Sequence, residues 1–188
     1  LTFRSVTVEG PVDLSGAVVR HPIAFEECEI GRLTADRAAF EMAVTVQGCR
    51  FGGDAAEPTP LRASRGSFDR SVRITDTEIH GNAEFAGCRV AGWLGFDEVT
   101  VIGGGHFPNV TVGTAQLVST TFEAGVEFDG ADRSLVAGPI ATERATDQRG
   151  VARLRDVVGP DHVERLLGAL ATRGYDIEVL THEAGEVL

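Results

Sequence analysis

Lysine is missing from this chain. All 17 basic residues are arginine, set against 28 Asp and Glu, for a formal net charge of −11 over 188 residues. An acidic balance of that size excludes the basic footprint of a protein that binds DNA or RNA directly. Acidic surface without lysine also fits a salt-adapted or GC-rich source. No apolar run is long enough to span a membrane, and no secretory leader pattern is present. Leu1 in place of methionine predicts a processed or trimmed product. Cysteine is scarce, with Cys28, Cys49 and Cys88 and no Cys-x-x-Cys pair. That spacing gives no disulfide framework and no zinc signature, which points to a reducing, cytoplasmic setting. Residues 1–130 also lack any i, i+3, i+4, i+7 apolar stripe, so they are not helical.

What the chain does have is a repeat of eleven residues. Units begin at Val6, Ala17, Cys28, Ala38, Cys49, Gly66, Thr77, Cys88, Val99, Val110 and Thr120. The third residue of each is apolar: Val8, Val19, Ile30, Phe40, Phe51, Phe68, Ile79, Val90, Val101, Val112 and Phe122. A second apolar pair follows after a short polar or glycine corner, as in Val12 and Leu14, Ile23 and Phe25, or Leu94 and Phe96. Alternation with period two places both members of a pair on one side of an extended segment. A fixed short period means that each unit buries its face only by stacking on its neighbours. The expected fold is therefore all-β, a parallel β-helix over residues 1–130. The overlong unit at Cys49 predicts a surface loop at about 52–65, through Gly52-Gly53-Asp54 and Pro58-Thr59-Pro60.

Segments such as Thr77-Glu-Ile-His-Gly-Asn-Ala-Glu-Phe85 and Cys88-Arg-Val-Ala-Gly-Trp-Leu-Gly-Phe96 resemble the pentapeptide-repeat family. Such proteins carry a large apolar residue every five positions and a small one two before it. The resemblance covers roughly residues 3–130, although the spacing here alternates five and six. It implies a right-handed, four-sided β-helix of two units per coil, hence five to six coils. It also implies that the three cysteines, each first in its unit, point inward as small hydrophobes; a metal or disulfide is the alternative.

Beyond Phe128 the repeat decays, and residues 131–140 read as a connector. Residues 141–188 are expected to form a small α-helical or α/β cap. Val151, Leu154 and Val158 lie at helical spacing. Pro160-Asp161 starts a second helix whose stripe is Val163, Leu166, Leu167 and Leu170. Tyr175, Ile177 and Val179 alternate as in a strand. The stripe either caps the solenoid end or serves as a dimer interface.

Chemistry-bearing patterns are few. Glu26, Glu27, Asp76, Asp97 and Glu98 end even-numbered units, so they should stack into one acidic corner. Such a ridge is either a binding surface or a solvated corner. Gly103-Gly-Gly-His106 lacks the lysine and helix of a phosphate cradle. Trp93 is either a partner anchor or packing over a neighbouring coil. With no catalytic set and no cofactor signature, the expected role is a non-enzymatic scaffold that offers an acidic surface to a protein partner. The resemblance adds DNA mimicry against a topoisomerase such as gyrase. Against it, Glu29, Arg50, Glu78 and Arg89 mix signs on adjacent faces. Two further classes are compatible with a β-helix. One is a polymer of bactofilin type, pairing through an uncapped edge at Phe3–Val8, and the second is a carbohydrate-active β-helix enzyme.

Overall fold

The computed structural model describes residues 1–52, 58–118, 120–129, 151–155 and 176–180. Among them every strand pairing is parallel and no helix occurs. The chain winds as a right-handed β-solenoid of about five turns. Phe3, Phe25, Val46, Ile74, Phe96 and Leu117 stand in register down the first face, so one turn takes two units.

Three more columns complete the cross-section. Val8, Ile30, Phe51, Ile79, Val101 and Phe122 line the second face. Val12, Leu33, Leu61, Ala83, Gly105 and Val126 line the third. Val19, Phe40, Phe68, Val90 and Val112 line the fourth. Outside the first turn these inward side chains merge into one apolar core. The cause is the period-two alternation, which turns every second residue of each short strand to the inside.

Aromatic rings tie the later turns together. Phe96 meets Phe85 and Phe107 edge to face at 5.8 and 5.7 Å, while Phe85 and Phe107 stack at 5.7 Å. Both geometries match the ring quadrupole, positive edge to negative face or offset stack.

The corners are set by the last residue of each unit. Gly16, Glu27, Arg37, Gly48, Arg65, Asp76, Gly87, Glu98 and Asn109 all have positive φ, between 50° and 69°. At the corner between the third and fourth faces, the amides of Ala17, Ala38, Gly66 and Cys88 donate to the carbonyls three residues back. A closing hydrogen bond over a left-handed third residue marks a type II turn. At the corner between the first and second faces the kink brings a buried small residue next in line: Cys28, Cys49, Thr77, Val99 and Thr120. The Cys28 amide donates to Cys49 Sγ at 3.4 Å, and the Cys49 amide to Thr77 Oγ1 at 3.4 Å. Side chains of one turn thus accept from amides of the turn before.

Two boundaries differ from the sequence expectation. Leu61–Arg62 is a strand in register with Leu33–Thr34, so the insertion lies between Phe51 and Leu61 and does not extend to 65. The returning strand restores the unit's second apolar pair as buried Leu61 and Ala63. Val151–Arg155 is a strand, not the first helix. It pairs parallel with Val126–Asp129, and Asp176–Leu180 pairs parallel with it in turn. An open strand edge gives a five-residue segment a full ladder of backbone partners, whereas an isolated helical turn nucleates poorly. The second strand agrees with the alternation around Ile177 and Val179. The helical stripe Val163, Leu166, Leu167 and Leu170 lies outside the described residues.

Candidate binding ridge

Register carries the acidic residues to the corner between the first and second faces. Glu26, Gln47, Thr75 and Asp97 are stacked partners at the end of the first face. The next residue in each turn is the left-handed one: Glu27, Gly48, Asp76 and Glu98, with Ser5 above them. All five acids expected at this corner therefore share it, with a gap at Gln47-Gly48. The Glu27 side chain leans over that gap, its Cγ lying 3.7 Å from where a Cβ on Gly48 would sit.

The ridge is unevenly neutralised. Glu26 accepts from Arg4, with Nη2 at 2.5 Å and Nε at 2.7 Å, and Ser5 Oγ donates to Glu27 at 3.0 Å. Asp76, Asp97 and Glu98 have no ion pair among the described residues. Along the adjoining second face Glu29, Arg50 and Glu78 alternate in register. Arg50 pairs with Glu78 at 3.2 Å, and His80 Nε2 lies 3.2 Å from the same carboxylate. The His80 hydrogen bond, with Arg50 behind it, holds the Glu78 carboxyl below the usual carboxylate range. Both signs alternate on that face, while the corner beside it carries Glu27, Asp76, Asp97 and Glu98. Glu27, Asp76 and Glu98 border an open polar groove along it.

A left-handed corner does not itself call for acid. The diagonally opposite corner has the same φ values and carries Gly16, Arg37, Arg65, Gly87 and Asn109. Equivalent backbone positions thus hold three acids and a glycine on one edge of the solenoid, and two arginines, two glycines and an asparagine on the other. Arg37 and Arg65 do not stand out in the sequence alone. The signal that marks them is the alternation in sign between the last residues of even and odd units.

Trp93, the glycine run and the thiols each have packing partners. Trp93 lies against Gly95, where an added Cβ would meet the indole at 2.5 Å, and Arg73 sits over its ring at 5.6 Å. The indole is sandwiched on the outside of the first face. Within the glycine run, Gly103 abuts Gly81 and Asn82, the Gly104 amide donates to Asn82 Oδ1, and Gly105 faces the core. His106 points outward and pairs with Glu127 at 3.1 Å. The three thiols are free and buried; burial pushes Cys88 up to about 12 and raises Cys49. Among the described residues no group of three or more His, Cys, Asp or Glu could hold a metal ion. Nor, among the described residues, is any helix long and apolar enough to cross a membrane.

The chain matches no family model, no curated protein and no solved structure.

Proposed function

We propose that the protein is a non-enzymatic scaffold whose rigid acidic ridge docks a basic surface of a protein partner. One observation carries the reading. Glu27, Asp76 and Glu98 occupy strained left-handed positions where Gly48 shows that glycine is accommodated in the same column. A left-handed residue with a side chain costs about 1–2 kcal/mol relative to its ordinary conformation. Strain held at one charge sign on one corner, with arginine at two of the five matching positions opposite and acid at none, supports retention for binding.

The scaffold suits this role because neighbouring turns stand about 4.8 Å apart and cannot shift independently. Docked charges therefore meet a preorganised array and lose little side-chain freedom. The pentapeptide-repeat resemblance belongs to the same proposal, since one large and one small inward residue per half-unit is what such a coil needs. DNA mimicry is a special case, in which the basic partner is a DNA-binding enzyme.

The test is calorimetric titration with a ten-residue oligo-arginine peptide at low and high salt. The wild type is expected to bind with an affinity that falls as salt rises. The triple variant Asp76→Asn, Asp97→Asn, Glu98→Gln should lose most of that affinity. Equal affinity in the variant overturns the ridge assignment. Inhibition of gyrase supercoiling by the wild type, lost in Glu26→Lys with Asp97→Lys, would identify the DNA-mimic case.

A further inference from the structure

Arg37 and Arg65 stand at successive turns of the corner between the third and fourth faces. Both side chains are exposed, and neither has an ion pair among the described residues. The acids around them are engaged or set apart. Asp36 pairs with Arg62 at 2.9 Å and accepts from the Ser64 amide at 2.9 Å. Glu84 accepts from Ser64 Oγ at 2.7 Å, and Glu41 pairs with Arg20 at 3.6 Å. Asp69 follows beyond the fourth-face strand Ser67–Phe68.

The ridge carries the same arrangement with the opposite charge. Asp76 and Glu98 also stand at successive turns, exposed and without an ion pair among the described residues. Arg37 and Arg65 have φ of 56° and 57°, against 50° and 55° at Asp76 and Glu98. Each pair is therefore spaced by one turn, about 4.8 Å, on the same backbone geometry. The two corners lie diagonally across one cross-section, so the pairs cannot meet within one chain.

We propose that the ridge docks on this arginine corner of a second copy, Asp76 and Glu98 of one chain meeting Arg37 and Arg65 of the next. The inference rests on the ridge reading above and supplies its partner. A second copy fits because its charges are opposite in sign, equal in spacing and held on the same rigid scaffold. Both ion pairs can then form at once, with no rearrangement of either backbone. Because the two docking corners differ, the contact is heterologous. Each copy in a docked pair keeps one corner free, so association continues sideways, solenoid beside solenoid. Exposed ion pairs contribute little individually and are screened by salt. The assembly is therefore weak, concentration-dependent and confined to low ionic strength.

The experiment is light-scattering mass of the 188-residue chain across a concentration series at low and high salt, with circular dichroism to verify folding. At low salt the wild-type mass should climb with concentration above the 19.9 kDa of one chain, and high salt should return it to that value. Arg37→Glu with Arg65→Glu should abolish the rise, and so should Asp76→Arg with Glu98→Arg. The first variant is more acidic than the wild type and the second less so, which separates local docking from net charge. An equimolar mixture should associate again, because the first variant presents acid at both corners and the second presents base at both. Should either variant unfold, Arg37→Gln with Arg65→Gln or Asp76→Asn with Glu98→Gln takes its place and should also abolish the rise. The Arg37→Glu, Arg65→Glu variant should still bind the oligo-arginine peptide, since its ridge is intact. Wild-type mass that stays at 19.9 kDa at low salt overturns the proposal. Peptide binding by the same sample then leaves the ridge reading standing, whereas its absence removes both. Association retained in both reversed variants, or lost only in the more acidic one, also overturns the proposal.

Discussion

Gly105→Ala separates the repeat pattern from the packed structure, because the two give opposite signs. Gly105 occupies a column otherwise filled by Val12, Leu33, Leu61, Ala83 and Val126. Regularising the repeat would place an apolar side chain there. Its φ lies outside the left-handed region, so alanine should gain about 0.5–1 kcal/mol by removing glycine's backbone freedom. The packed structure opposes this. A Cβ at 105 would stand 2.5 Å from Cε1 of Phe122 and 2.9 Å from Cε2 of Phe107. Ordinary contact needs about 1 Å more, and both rings are enclosed in the core. Overpacking of this kind costs about 1–3 kcal/mol, so the net expectation is a loss of about 1–2 kcal/mol. For a chain of this size that lowers the melting temperature by about 2–8 °C. Thermal and urea unfolding followed by circular dichroism would measure it. Phe122→Leu removes the offending ring edge, so Gly105→Ala should cost less in that background, with a coupling of about 1 kcal/mol in a double-mutant cycle. Gly105→Ala that is neutral or stabilising would refute the claim that Phe122 excludes a side chain here.

Phe96→Ala removes a fully buried ring that contacts Phe85, Phe107 and Phe122, and should cost about 3–5 kcal/mol by urea denaturation. Glu98→Gly should raise stability by about 0.5–1 kcal/mol, because relief of the left-handed strain exceeds glycine's entropic cost. Glu98→Val should instead destabilise, and equal stability of the two variants would contradict the corner geometry. All three thiols should resist Ellman's reagent at about pH 8 until the protein is unfolded. Cys88 is raised from 9.0 to about 12, so the folded chain holds a proton that the unfolded chain has released. Its contribution is complete below about pH 9 and is lost as pH rises through about 12. A Cys88→Ala variant should therefore lose stability less steeply across that window than the wild type.

The solenoid was readable because its information is local and repeated. Eleven apolar third positions, each followed by a corner and a second apolar pair, leave one way to bury every face. The stacking of Glu26 with Asp97, and of Glu27 with Asp76 and Glu98, follows from the same constant period. Where periodicity fails, so did the reading. The loop's return point at Leu61 was hidden because prolines and glycines blur the phase on either side. Val151–Arg155 satisfies helical spacing and strand register alike, and five residues are too few to separate them.

The sequence by itself determined the period, the inward columns and the corner that collects Glu26, Glu27, Asp76, Asp97 and Glu98. Only the tertiary structure decided which partner each side chain meets. It set Arg4 on Glu26, Arg73 on Trp93, and the Phe122 ring in the space that Gly105 leaves. It also decided that the corner of Glu27, Asp76 and Glu98 lies diagonally across one cross-section from that of Arg37 and Arg65. The physical reason is that a repeat specifies position along the chain and face of the strand. Contacts between turns depend on shape and charge summed over residues about twenty-two apart, and no local pattern contains that sum.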